Sequence, residues 1–134
     1  MSSGNAPPIS QPNATKDLAH PVLIVDDEPV ILELLRDVLE EAGFEVLTAS
    51  NGAAALYVIQ RTPVALVLTD FMMPNVTGIE LAQQLHTNPQ TATIPLLLMS
   101  AALPQPVGDA FAAVIHKPFA IENMVEIVRR FLPA

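Results

Sequence analysis

The feature that most constrains this chain is a short β-branched run that stops dead on charge: Val22-Leu23-Ile24-Val25 followed by Asp26, Asp27 and Glu28. A strand that is apolar at every position is one buried on both faces, as in a parallel sheet covered by helices. The acids that end it then stand at a sheet rim. The pattern repeats at Phe44 to Thr48, at Val64 to Leu68 running into Thr69 and Asp70, at Ile94 to Met99 ending at Ser100 and Ala101, and at Ala113 to His116.

Helical patterns fill the intervals. Pro29 suits a first helical turn, and Ile31, Leu34, Leu35, Val38, Leu39 and Ala42 recur at helical spacing until Gly43 stops them. Asn51 to Arg61 forms an Ala-rich helix, Gly78 to His86 a short one, and Ile121, Val125, Val128 and Leu132 one face of a closing helix. Alternating strands and helices predict an α/β fold, a flavodoxin-like, doubly wound, five-stranded parallel sheet in the order 2-1-3-4-5. Residues 1–19 are rich in Ser, Asn, Pro and Gln and lack large apolar side chains, so they read as a disordered leader to a domain covering residues 20–134.

Composition removes several functions. The net charge is −8 with only six Lys and Arg, which argues against nucleic acid as a partner. Cysteine is absent, which excludes disulfides and thiolate sites and accords with a cytoplasmic location. No apolar run approaches the ~18–20 residues that span a bilayer, so no membrane association is expected. His20, His86 and His116 share no metal-ligand spacing and are taken as structural or solvent-facing.

In open parallel sheets ligands bind outside the carboxyl ends of the strands, and this chain places Asp26, Asp27, Asp70, Ser100 and Lys117 there. Two carboxylates at about 4 Å repel by about 4 kcal/mol at an effective dielectric near 20. A hard cation relieves that, and Mg²⁺ suits a site of few carboxylates because it keeps water and substrate oxygens. Lys117 supplies a positive charge for an incoming phosphoryl group. The plainer alternative for Asp26 and Asp27 is helix capping, for Ser100 a loop cap, and for Lys117 an ordinary surface lysine. Met72 and Met73 read as loop packing.

Taken jointly, Asp26-Asp27, Asp70 with Met73-Pro74 and Gly78, Ser100-Ala101 and Lys117-Pro118-Phe119 resemble the response-regulator receiver domain of two-component signalling, over about Pro21 to Leu132. The resemblance implies a signalling domain, rather than an enzyme, that assists its own phosphorylation and dephosphorylation. Asp70 would accept the phosphoryl group from a histidine kinase, a phosphotransfer protein or a small phosphodonor. Asp27, Asp70 and the Met72 carbonyl would bind Mg²⁺, with Mn²⁺ as a substitute, and Asp26 would act mainly through a coordinated water. Ser100 and Lys117 would contact the phosphoryl oxygens, and the bond from Lys117 to Pro118 would be cis. Signalling would proceed by docking to a downstream protein, from a monomer or weak homodimer. Alternatives are a phosphorylation-independent scaffold, a phosphorelay intermediate, and a phosphohydrolase, for which neither acid-base residue nor substrate cap is found.

Two departures from the family stand out. Many receivers carry an aromatic residue three positions before the lysine; Val114 stands there and has no ring to swing. Only seventeen positions separate Ser100 from Lys117, with Pro104, Pro106 and Gly108 among them, so the helix between strands four and five is expected to be short, displaced or missing, and the output face atypical. Phosphorylation is then expected to rearrange Leu103 to Phe111. Met72 and Ala102 cannot orient an attacking water, which predicts a slowly decaying phosphoryl group.

Overall fold

A computed structural model describes residues 20–71, 77–101 and 111–132. The elements are β1 (Val22–Val25), α1 (Pro29–Glu41), β2 (Val46–Ala49), α2 (Gly52–Arg61), β3 (Leu66–Asp70), α3 (Gly78–Thr87), β4 (Leu96–Ser100), β5 (Ala113–His116) and α4 (Ile121–Phe131). All strand pairings are parallel, and the order is β2-β1-β3-β4-β5, as expected from the sequence.

Strand ends differ from expectation by one or two residues. β2 begins at Val46 rather than Phe44, β3 at Leu66 rather than Val64, and β4 at Leu96 rather than Ile94. The apolar runs overreach because Phe44 and Ile94 belong to the turns entering the sheet: the Phe44 N–H donates to the Leu39 carbonyl and the Ile94 N–H to the Thr91 carbonyl.

Helices cover both faces, and strand alternation sorts the core into two layers. Leu23, Val25, Val67, Leu96 and Leu98 face α2 and α3 through Ala55, Ile59, Leu81, Ala82 and Leu85. Val22, Ile24, Leu66, Leu68, Leu97, Met99 and Ile115 face α1 and α4 through Leu35, Leu39, Met124 and Val128. β1 and the first four positions of β3 are therefore wholly buried, which is why they read as continuous apolar runs. Full burial of one such Leu or Ile stabilises the fold by about 1.5–3 kcal/mol.

Local signals set the helix limits. Asn51 caps α2, its side chain accepting from the Ala54 N–H at 2.8 Å. Thr77 and Glu80 form a reciprocal capping box at the start of α3. Gly43 ends the turn after α1 with φ +103°, a conformation that L side chains rarely adopt.

Among the described residues four helices flank the sheet. Residues 102–110, where that expectation and the proposed rearrangement mostly fall, lie outside the described residues. So do the leader at 1–19 and the loop at 72–76 with Met72. No helix among the described residues is long and apolar enough to cross a membrane.

Candidate functional site

The carboxyl rim of the sheet gathers the expected residues. Asp26 follows β1, Asp70 is the last residue of β3, Ser100 the last of β4, and Lys117 follows β5. Because β1 and β3 are neighbours, Asp26 and Asp70 become adjacent although 44 positions apart in sequence. Asp27 completes the group: one carboxylate oxygen from each of Asp26, Asp27 and Asp70 lies within 4.8 Å of the others. Asp26 is buried, Asp70 partly buried and Asp27 exposed, so the cluster opens to solvent at one side.

Lys117 closes the other side. Its Nζ donates to Asp70 Oδ1 at 2.8 Å and stands 3.8 Å from Asp26 Oδ2. The sheet ladder runs one residue past its strands to position this pair: the Phe71 N–H donates to the Met99 carbonyl, and the Lys117 N–H to the Ser100 carbonyl at 2.8 Å. The peptide bond from Lys117 to Pro118 is cis, as expected. Ser100 is 3 % exposed at this rim.

Asp26 is held by a local turn. Its Oδ1 accepts from the Glu28 N–H at 2.9 Å. This bond shapes the entry to α1, whose N-cap Glu28 makes no side-chain capping bond. Oδ2 is fully buried and, among the described residues, accepts no hydrogen bond; Lys117 Nζ at 3.8 Å is beyond hydrogen-bond reach. Burial pushes the Asp26 carboxyl up to about 6; the Glu28 N–H opposes the rise and the Asp70 charge adds to it. For Lys117, burial acts downward, but the hydrogen bond to Asp70 and the charges of Asp70 and Asp26 prevail and raise its pKa.

A buried carboxylate with an oxygen that no described residue satisfies, clustered with two further carboxylates, is what a hard divalent cation relieves, and these donors fit Mg²⁺. The Met72 carbonyl, expected as a further ligand, belongs to the residues outside the description.

One site residue, and the physical reason for another, had escaped the sequence reading. Thr69 is fully buried and its Oγ1 donates to the Asp70 carbonyl at 3.0 Å, bracing the end of β3. The signal was a lone hydroxyl inside an apolar run. Gly78 belongs to the motif that carries the resemblance, but its reason lies in space: a Cβ there would stand 3.0 Å from the Asp70 carbonyl oxygen and 3.2 Å from Leu98 Cδ1. The absent side chain lets the start of α3 seat against Asp70, where the Gly78 N–H donates to the Phe71 carbonyl at 3.1 Å. His20, His86 and His116 are all exposed and lie in no metal-competent cluster among the described residues.

With this geometry in view, the family profile described as the response regulator receiver domain matches residues 22–129. The chain belongs to the response-regulator receiver family. The receiver is 38% identical over 109 residues to the probable chemotaxis protein CheY of Rhizobium etli, covering 77% of this chain and 84% of that one. It is 42% identical over 80 residues to the phosphate regulon transcriptional regulatory protein PhoB of Pseudomonas aeruginosa, covering 60% of this chain and 35% of PhoB. The chain spans about a third to a half of the curated transcriptional regulators it matches. Among solved structures, the response regulator protein TrrA of Thermotoga maritima, in complex with Mg²⁺-BeF, superposes with a TM-score of 0.77 at 31% identity, covering 84% of this receiver and 99% of TrrA. Receivers of this kind are signalling domains of two-component systems.

Proposed function

We propose that this receiver accepts a phosphoryl group on Asp70, in a Mg²⁺-dependent reaction, from a histidine kinase, a phosphotransfer protein or a small phosphodonor. The observation that carries the reading is the pairing of Asp70 with Lys117 at 2.8 Å beside a three-carboxylate cluster whose buried oxygen is unsatisfied.

A carboxylate is a usable nucleophile near neutral pH, and phosphoryl transfer asks a protein chiefly for alignment and charge neutralisation. One oxygen of Asp70 forms a bond to phosphorus as the bond from phosphorus to the donor's imidazole nitrogen breaks. The electron pair leaves with that nitrogen, which takes up a proton. The Lys117 ammonium is already hydrogen-bonded at Asp70 and can follow the negative charge onto a phosphoryl oxygen. Ser100, at the end of β4, serves as a hydroxyl donor to another oxygen. Asp26, Asp27 and Asp70 are the side chains that would hold Mg²⁺, which when bound supplies positive charge for carboxylate and phosphoryl oxygens alike. The output is docking to a downstream protein. The acidic charge of the chain disfavours direct contact with nucleic acid, although PhoB is by name a transcriptional regulator.

The deciding experiment supplies Mg²⁺ and a small phosphodonor and follows intact mass. One phosphoryl addition is expected in the wild type and none in Asp70→Asn or in the presence of a chelator. An unmodified wild type, or an Asp70→Asn variant that gains the same mass, overturns the proposal and favours a phosphorylation-independent scaffold.

A further inference from the structure

β2 is an edge strand, paired on one side only with β1. The Val22 N–H donates to the Glu45 carbonyl and the Asp26 N–H to the Ala49 carbonyl. In a parallel ladder the backbone groups of successive residues point to opposite sides of the strand. Glu45, Leu47 and Ala49 thus turn their amides and carbonyls toward β1, and Val46 and Thr48 turn theirs outward. No described residue hydrogen-bonds to those outward groups.

They open into a groove of about 390 Å³ between α1 and α2. One wall carries Arg36 of α1, the other Tyr57 and Arg61 of α2. Arg36 and Arg61 are two of only six Lys and Arg side chains in a chain of net charge −8. Arg61 stacks on the Tyr57 ring, its guanidinium carbon 3.6 Å from the ring centroid, and uses one donor on the Tyr57 carbonyl at 3.3 Å. Arg36 meets Glu40 at 3.5 Å in a pair about half exposed on both sides. Each guanidinium has five N–H donors, so both retain donors for a carboxylate.

We infer that the β2 edge, between Arg36 and Arg61, is a docking site for an extended acidic segment of a partner protein, which adds as a sixth strand. Side chains of an added strand alternate between the α1 and α2 walls. Recognition therefore favours two acidic residues an odd number of positions apart, one for each arginine, with the outward groups of Val46 and Thr48 giving main-chain hydrogen bonds. A second copy of this chain is the poorer occupant, because pairing two β2 edges brings four guanidinium groups together across one groove. The surface lies beyond β1 from Asp70 and does not depend on phosphoryl chemistry.

The test is selection of a displayed library of random octapeptides against the full chain. Acidic residues at odd separation are expected to be enriched, and the strongest selected peptide should slow amide exchange at Val46 and Thr48. Its affinity should fall about tenfold or more in the Arg36→Glu/Arg61→Glu double variant, whose changes sit on exposed helix positions, and stay unchanged in Asp70→Asn. Enrichment without acidic bias, selection no better than against an unrelated protein, unchanged affinity in the double variant, or protection elsewhere overturns the inference. So does a concentration-dependent dimer that protects Val46 and Thr48 without peptide.

Discussion

The middle of the sheet and its carboxyl rim are built from the same strands on opposite rules. From Val22 to Val25, and from Leu66 to Leu68, each side chain is apolar and fully buried, and every contact there stabilises the fold. One residue past β1, Asp26 is equally buried and carries a carboxylate oxygen that no described residue hydrogen-bonds. The strands supply rigidity in the middle and spend some of it at the rim, where acids are held closer than they would choose. A divalent cation would relieve such an arrangement, and a core position has no comparable use.

If that division is sound, Leu98→Ala should be the most damaging change. Leu98 is fully buried and packs beside Gly78, so the substitution is expected to lower unfolding free energy by about 2–5 kcal/mol in urea titrations. A loss below about 1 kcal/mol would erase the contrast with the rim.

The rim should respond to pH where the middle cannot. Asp26 has its carboxyl raised from 3.8 to about 6, so between these values the folded state binds more protons than the unfolded state. Its contribution is full below pH 3.8 and is lost as pH rises through about 6, a metal-free loss of about 3 kcal/mol at most for a side chain 1% exposed. Asp26→Asn should flatten this slope. Mg²⁺ should raise Tm more at pH 7.5 than at pH 5, because the proton competes for the same oxygen. A slope identical in Asp26→Asn, measured by denaturation across pH, breaks the assignment of strain to the rim.

Removing the Lys117 charge should sharpen it. Lys117→Met leaves Asp70 and Asp26 facing each other with their hydrogen-bond and ion-pair partner gone, and about 1–3 kcal/mol of destabilisation is expected in metal-free buffer. Added Mg²⁺ should restore a good part of it; no recovery would argue that Lys117 acts through packing alone. The smallest effect should come from a satisfied polar residue near the same end of the sheet. Asn51→Ala removes the α2 cap and is expected to cost about 1 kcal/mol, measured by thermal unfolding, without altering the response to Mg²⁺.

Legibility followed the range of the interactions. The Ala113–His116 strand and the Pro29 start of α1 were readable because strand burial and helix initiation leave marks within a few residues. The site acids were readable because each follows an apolar run. The roles of Thr69 and Gly78 were not, since a buried hydroxyl and a missing Cβ acquire meaning only from Asp70, Phe71 and Leu98 around them. The groove at β2 was hidden for the same reason: Arg36 and Arg61 look like ordinary surface residues of two separate helices.

By itself, the sequence determined which residues stand at strand ends and that helices alternate with strands, because periodicity and chain punctuation are local properties. That alternation also implied the strand order and the shared rim; only the tertiary structure decided how closely the side chains meet there, with one oxygen from each of Asp26, Asp27 and Asp70 within 4.8 Å of the others and Lys117 Nζ 2.8 Å from Asp70. Such distances and burial follow from contacts summed over the whole chain. The same sum raises the Asp26 carboxyl to about 6, while Asp27, its exposed neighbour in sequence, sits outside the core.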